Sequence, residues 1–139
     1  MNNRLVTVSL FCAVLSLGGC AFDVVHVEQQ PTQLQADKAC SDFFVLARDV
    51  TVPIGAGYER KLRQDTRWHC VGNLAQGKVF KSKDQLLTIE ASNVFEANIV
   101  VASGHLVGFY LPVERAFSPL GKQMKLAMRD SKLLQTTNQ

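Results

Sequence analysis

The residue types best suited to chemistry in this 139-residue chain are four cysteines, Cys12, Cys20, Cys40 and Cys70, and three histidines, His26, His69 and His105. A thiolate beside an imidazole is the pattern of a cysteine nucleophile with its base, and His69-Cys70 is the one place where the two types adjoin. Neighbours on a strand point to opposite faces, so an extended backbone there would keep the imidazole from the sulfur. No Cys-x-x-Cys occurs, which disfavours a thioredoxin-like role. The histidines lie far apart and none has a second ligand at i+2 or i+4, so a zinc site is not expected. Gly55-Ala56-Gly57 begins like a nucleotide loop, but the third glycine, a Gly-Lys-Ser/Thr and a Gly-x-Ser-x-Gly elbow are all missing. Glu90, Glu96 and Glu114 would have to converge in space to work as a glycosidase pair does; solvent-facing strand ends are the plainer account. The sequence points away from an enzyme, and no cofactor or metal is expected.

Cys20 belongs to a different pattern. Arg4 and the terminal amine precede an apolar run from Leu5 to Leu17, which then gives way to Gly18-Gly19-Cys20. A basic start, an apolar stretch and small residues at its end are the three regions of an export signal. The run is about thirteen residues, roughly 20 Å as a helix, against about 30 Å for a bilayer core, so it is not expected to persist as a span. Leu17-Gly18-Gly19-Cys20 resembles the lipobox of bacterial lipoproteins. That resemblance implies cleavage before Cys20, acyl chains of the palmitate type on its sulfur and a mature chain that starts there; the alternative is an ordinary signal with an incidental cysteine. Two or more acyl chains hold a protein on a membrane far longer than one. Within the same resemblance, Ala21 rather than Asp after the cysteine implies the outer membrane, facing the periplasm.

Removal of residues 1–19 leaves 120 residues, enough for one modest domain. Its side chains carry fourteen basic against twelve acidic groups, or +2. The charge is uneven: residues 115–139 sum to +4 and residues 20–114 to −2. Such a basic segment could meet anionic headgroups or an acidic partner, or be a solvated face. With Cys12 removed and Cys20 acylated, Cys40 and Cys70 remain in an oxidising compartment and are expected to pair.

The elements that must position these residues read as strands. Residues 20–39, rich in glutamine, are expected to be a tether of up to about 60 Å. Residues 40–119 are the expected β domain and 120–139 a basic C-terminal segment. Phe43 to Val52 is β-rich up to Pro53, and Arg67–Val71, Lys78–Lys81 and Leu86–Ala91 are short strand candidates. Asn98–Ala102 and His105–Leu111 flank Ser103-Gly104, which predicts a tight hairpin, with Gly108 marking a bulge or a close backbone approach. Residues 120–134 fit either an edge strand, which the β context favours, or a helix with Lys122, Lys125, Arg129 and Lys132 on one face. The expected fold is mainly β, a small antiparallel barrel or sandwich with at most one short helix. The rhythm of Phe43 to Val71 resembles a bacterial SH3-type barrel, without a diagnostic motif.

Two features suggest binding rather than catalysis. Tyr58, Arg60 and Lys61, with Trp68 nearby, place aromatic and basic groups together, as a groove for an acidic glycan, lipid phosphate or protein loop would; the simpler account is a basic hairpin with Trp68 packed beside the disulfide. The apolar density around Phe109, Tyr110 and Phe117 could exceed what a small core buries and leave a docking patch. The expected partners are the membrane, through Cys20, and an envelope protein or peptidoglycan, with no nucleic acid and no small-molecule cofactor.

Overall fold

A computed structural model describes residues 27–54, 57–91 and 93–130. The chain there is mainly β, with thirteen strands and no helix among the described residues. The proposed lipobox and Cys20 lie outside them.

The frame is an antiparallel meander. Strand β3 (Phe43–Leu46) pairs with β6 (Arg67–Leu74), β6 with β7 (Gly77–Ser82), β7 with β10 (Asn98–Ala102), β10 with β11 (His105–Leu111) and β11 with β12 (Ala116–Lys125). Only Leu126 and Ala127 separate β12 from β13 (Met128–Asp130), which pairs with β3 at the far end of the sheet. One stretch of chain thus joins both ends of the meander, and the sheet closes on itself as a small barrel. Of the ambiguous segment 120–134, residues up to Lys125 and Met128–Asp130 are strand and 131–134 lie outside the described residues; β12 runs across the boundary expected at residue 120. Leu126 NH donates to the Gly104 carbonyl at 3.0 Å and the Ala127 carbonyl accepts from Ala47 NH at 2.8 Å, so the crossing itself is hydrogen-bonded.

Two hairpins interrupt the meander. Strands β4 (Val50–Ile54) and β5 (Tyr58–Leu62) lie between β3 and β6, and β8 (Thr88–Glu90) and β9 (Val94–Glu96) between β7 and β10. In β4, Val50, Val52 and Ile54 are buried while Thr51 and Pro53 are exposed, the two-residue alternation of a half-covered strand. Pro53 does not end the strand as the sequence suggests. β4 pairs only with β5, and a strand with one free edge tolerates a missing amide. Val52, Ile54, Leu62, Leu87 and Ile89 join Phe44, Leu46, Trp68, Phe80, Ile99, Leu106, Phe109 and Leu111 in the main core.

The opposite face of the sheet is also apolar. Leu74, Val79, Val100, Tyr110 and Phe117 form a second buried cluster, against which Leu34 packs. Leu34 belongs to the glutamine-rich segment expected to be a tether. Here β1 (Gln30–Pro31) pairs with Phe117 and Ala116 of β12, and β2 (Gln35–Ala36) pairs with Asn73 and Gly72 of β6. The folded body thus takes in residues from Val27 onward, well before position 40.

Three register shifts interrupt the sheet: two single-residue bulges and a wider one where Leu106 and Gly108 of β11 face Met124 and Pro119 of β12. Pairing slips by one residue at Val71 in β6 and at Val107 in β11, and a glycine follows each. A Cβ on Gly72 would stand 2.4 Å from the Gln35 carbonyl oxygen, and one on Gly108 would stand 2.4 Å from the Ser118 carbonyl oxygen and 2.6 Å from the Phe117 ring. Gly108 therefore answers both expectations, bulge and close approach. Gly108→Ala is expected to lower stability by about 1–3 kcal/mol, as overpacking against backbone does, and urea unfolding measures it. The Ser103-Gly104 hairpin stands as expected, with positive φ at both residues, 50° and 76°.

Candidate functional site

Cys40 and Cys70 form a disulfide, with Cα atoms 5.6 Å apart. Cys70 lies at the edge of the main core and Cys40 packs against it, so the bridge holds the end of the N-terminal segment to β6. Its sulfur being bonded, Cys70 is no nucleophile. His69 follows the strand alternation onto the outer face, pairing with Phe43 on β3 and Lys81 on β7. Beside the bridge is a cleft of about 370 Å³ lined by Phe43, Arg67, His69 and Lys83, among others. Desolvation first, then the nearby Lys83 and Lys81, holds the His69 imidazole below its ordinary pKa.

The aromatic-basic group and the apolar stretch expected to bind a partner do not both lie at the surface. Trp68 is 0% exposed. It stacks against Phe44 with centroids 6.5 Å apart, while Phe44 meets Phe80 edge-on at 5.0 Å. The hydrophobic payload of an indole explains the location, because β6 places positions 68 and 70 on the inner face. Trp68 is thus a core residue and not a stacking group for a glycan. Phe109, Tyr110 and Phe117 are corrected in the same way. All three are buried, Phe109 in the main core and Tyr110 and Phe117 in the second cluster, because this sheet buries side chains on both faces. Of that stretch Val113 alone is a strongly exposed large apolar residue.

Tyr58, Arg60 and Lys61 remain at or near the surface. Tyr58 is 45% exposed at the start of β5. Arg60 is engaged: its Nε donates to the Thr88 carbonyl at 2.6 Å and its guanidinium pairs with Glu90, which ties the two inserted hairpins together. Lys61 pairs with Asp49 at 2.6 Å. Asp49 also accepts from the Gln64 amide at 2.7 Å, and this bond, then Lys61, holds its carboxyl below the usual range. Glu96 pairs with Lys81 at 3.4 Å, so Glu90 and Glu96 each face a cation of their own. No group of three or more His, Cys, Asp or Glu able to hold a metal occurs among the described residues.

The hairpin bases carry the densest polar network. Asp84 accepts from the Arg67 amide at 2.9 Å and from its guanidinium at 3.1 and 3.0 Å. Those bonds hold the Asp84 carboxyl down to about 2. A carboxylate whose pKa falls on folding adds stability above its unfolded value of 3.8, and the contribution disappears as pH falls through about 2. Asp84→Asn is therefore expected to flatten the acid limb of stability between those two values and leave the slope near neutrality unchanged, as thermal unfolding against pH would read. Leu86, which no sequence motif singles out, is 78% exposed beside this network. Its one signal is the doublet Leu86-Leu87, since a strand can turn only one of two neighbours inward.

No family profile, curated protein or solved structure matches this chain.

Proposed function

We propose that the chain is a non-enzymatic lipoprotein, anchored in the outer membrane through acyl chains on Cys20, whose β body faces the periplasm and docks onto an envelope assembly such as secretion, conjugation or outer-membrane machinery. The observation that carries the reading is Leu17-Gly18-Gly19-Cys20, after a short apolar run, close in sequence to a folded body whose core is already in contact with Val27. The Cys40–Cys70 bridge supports it, since disulfides persist in oxidising compartments. Six residues lie between Cys20 and Val27, and the seven chain steps reach at most about 25 Å, so such an anchor would hold the body near the headgroups instead of projecting it tens of ångströms away. The glycan-binding alternative has lost its main stacking residue, because Trp68 is buried.

Density-gradient separation of envelope membranes tests the location: the chain is expected with the outer membrane, and recovery as a freely soluble protein would refute the proposal. Crosslinking in cells from Tyr58 tests docking, with one discrete envelope adduct expected. Retention on insoluble cell-wall sacculi, undiminished by detergent, would instead favour the glycan reading.

A further inference from the structure

Leu86 is the most exposed large apolar side chain among the described residues, and the loop that carries it is fixed. Ser82 Oγ accepts from the amides of Asp84 and Gln85 at 3.2 and 2.8 Å. Gln85 Nε2 donates to the Lys61 carbonyl at 2.8 Å, and Gln85 Oε1 accepts from the Arg63 amide at 3.3 Å. The next residue, Leu87, is buried in the core. A backbone held in this way, with one leucine turned inward, presents the other to solvent.

Two shallow clefts meet at Leu86. Arg60, Lys61 and Arg63 line one, and Lys81 and Lys83 line the other. Glu90, Asp49 and Glu96 pair with Arg60, Lys61 and Lys81. Arg63 and Lys83 form no ion pair among the described residues: the Arg63 guanidinium donates to the Asp84 carbonyl at 3.2 Å, and the Asp49 and Asp84 carboxylates, near Arg63 and Lys83, already pair with Lys61 and Arg67. The cations around the apolar tip thus outnumber the carboxylates near them, with Arg63 on one side and Lys83 on the other as the excess.

We propose that this loop is a bilayer-contacting prong: Leu86 enters the acyl boundary of an anionic phospholipid surface while Arg63 and Lys83 meet the phosphates. Charge complementarity selects this occupant. Long basic side chains keep their heads at phosphate depth while neighbouring apolar groups sit below, and anionic headgroups supply the counter-charge. A stable protein partner would want a broad contact, of about 800 Å² on each side, and a lone leucine offers little of that. The proposal rests on Cys20 acylation only for nearness to the membrane. Glu90 lines the cleft that also holds Val27, and Leu86 precedes Glu90 by about 13 Å of chain.

The test is fluorescence of full-length Leu86→Trp with vesicles of brominated phosphatidylglycerol and phosphatidylcholine, since the native Trp68 is buried away from lipid. Leu86→Trp should lose most of its added emission on these vesicles, less at high salt, and much less on brominated phosphatidylcholine alone or when Arg63→Ala and Lys83→Ala are added. Ala75→Trp, in the turn at the other end of β7, should keep its emission. No quenching at position 86, or equal quenching at 75 and 86, overturns the proposal. Intact mass of the same preparation reports acylation of Cys20 separately: an acylated protein that floats with vesicles without quenching refutes the prong and leaves the anchor standing, whereas quenching of an unacylated protein does the reverse.

Discussion

Trp68→Ala is expected to destabilise the protein by about 3–5 kcal/mol, the range for deleting a large aromatic side chain from a packed interior. That is a large part of the roughly 5–15 kcal/mol that holds a domain of this size together, so the variant should be partly unfolded at 37 °C. Trp68 is wholly buried in the main core and stacks against Phe44 of the Phe44–Phe80 pair, so its truncation leaves a cavity inside the barrel. Trp68→Phe separates shape from polarity. The indole Nε1 is buried with no hydrogen-bond acceptor among the described residues, and an unpaired buried donor costs about 1–3 kcal/mol. Phenylalanine loses volume but removes that donor, so Trp68→Phe should cost much less than the alanine variant. Urea denaturation measures both, and similar losses would mean that Nε1 is satisfied in solution. If Trp68 were instead a ligand-stacking residue, the alanine variant would bind less and remain as stable as the parent.

Removing the disulfide with the double variant Cys40→Ser, Cys70→Ser is the second large effect. The bridge spans 30 residues, and the chain-entropy relation gives about 3–4 kcal/mol for a loop of that size. The loss should also be regional. Leu34 and the short strands β1 and β2 cover Tyr110 and Phe117, and the bridge fixes the end of that covering segment to β6. Limited proteolysis is therefore expected to cut between residues 27 and 40 first, before the barrel opens, and near-ultraviolet circular dichroism should report a change at Tyr110. Simultaneous loss of all structure would instead place the bridge at the centre of a single cooperative unit.

What is legible in the sequence depends on the range of each signal. The hairpin at Ser103-Gly104 is readable because its turn chemistry and its two flanking runs are local. The Cys40–Cys70 pairing follows from counting thiols if Cys12 is assigned to the expected signal and Cys20 to the expected lipobox. Barrel closure is not readable, since it depends on β12 and β13 meeting strands far apart in sequence, β11 and β3. The glutamine-rich segment resembles a tether because composition reports side chains, whereas backbone pairing and the space left by Gly72 hold it. Phe109, Tyr110 and Phe117 form a surplus only on the assumption of a one-sided core. The basic residues Arg60 and Lys61 stand out locally, but their partners Glu90 and Asp49 sit on other strands and loops that no local pattern connects.

The most direct test of a lipid-anchored, disulfide-held body is the intact mass of the protein purified from cell membranes, with and without reduction, beside its Cys20→Ser counterpart. Acylation at Cys20 predicts a chain that starts there, carries the added mass of its acyl groups and gains two hydrogens on reduction, and a Cys20→Ser protein that lacks both processing and acyl mass. A Cys20→Ser protein of unaltered maturation, mass and membrane fractionation would contradict it.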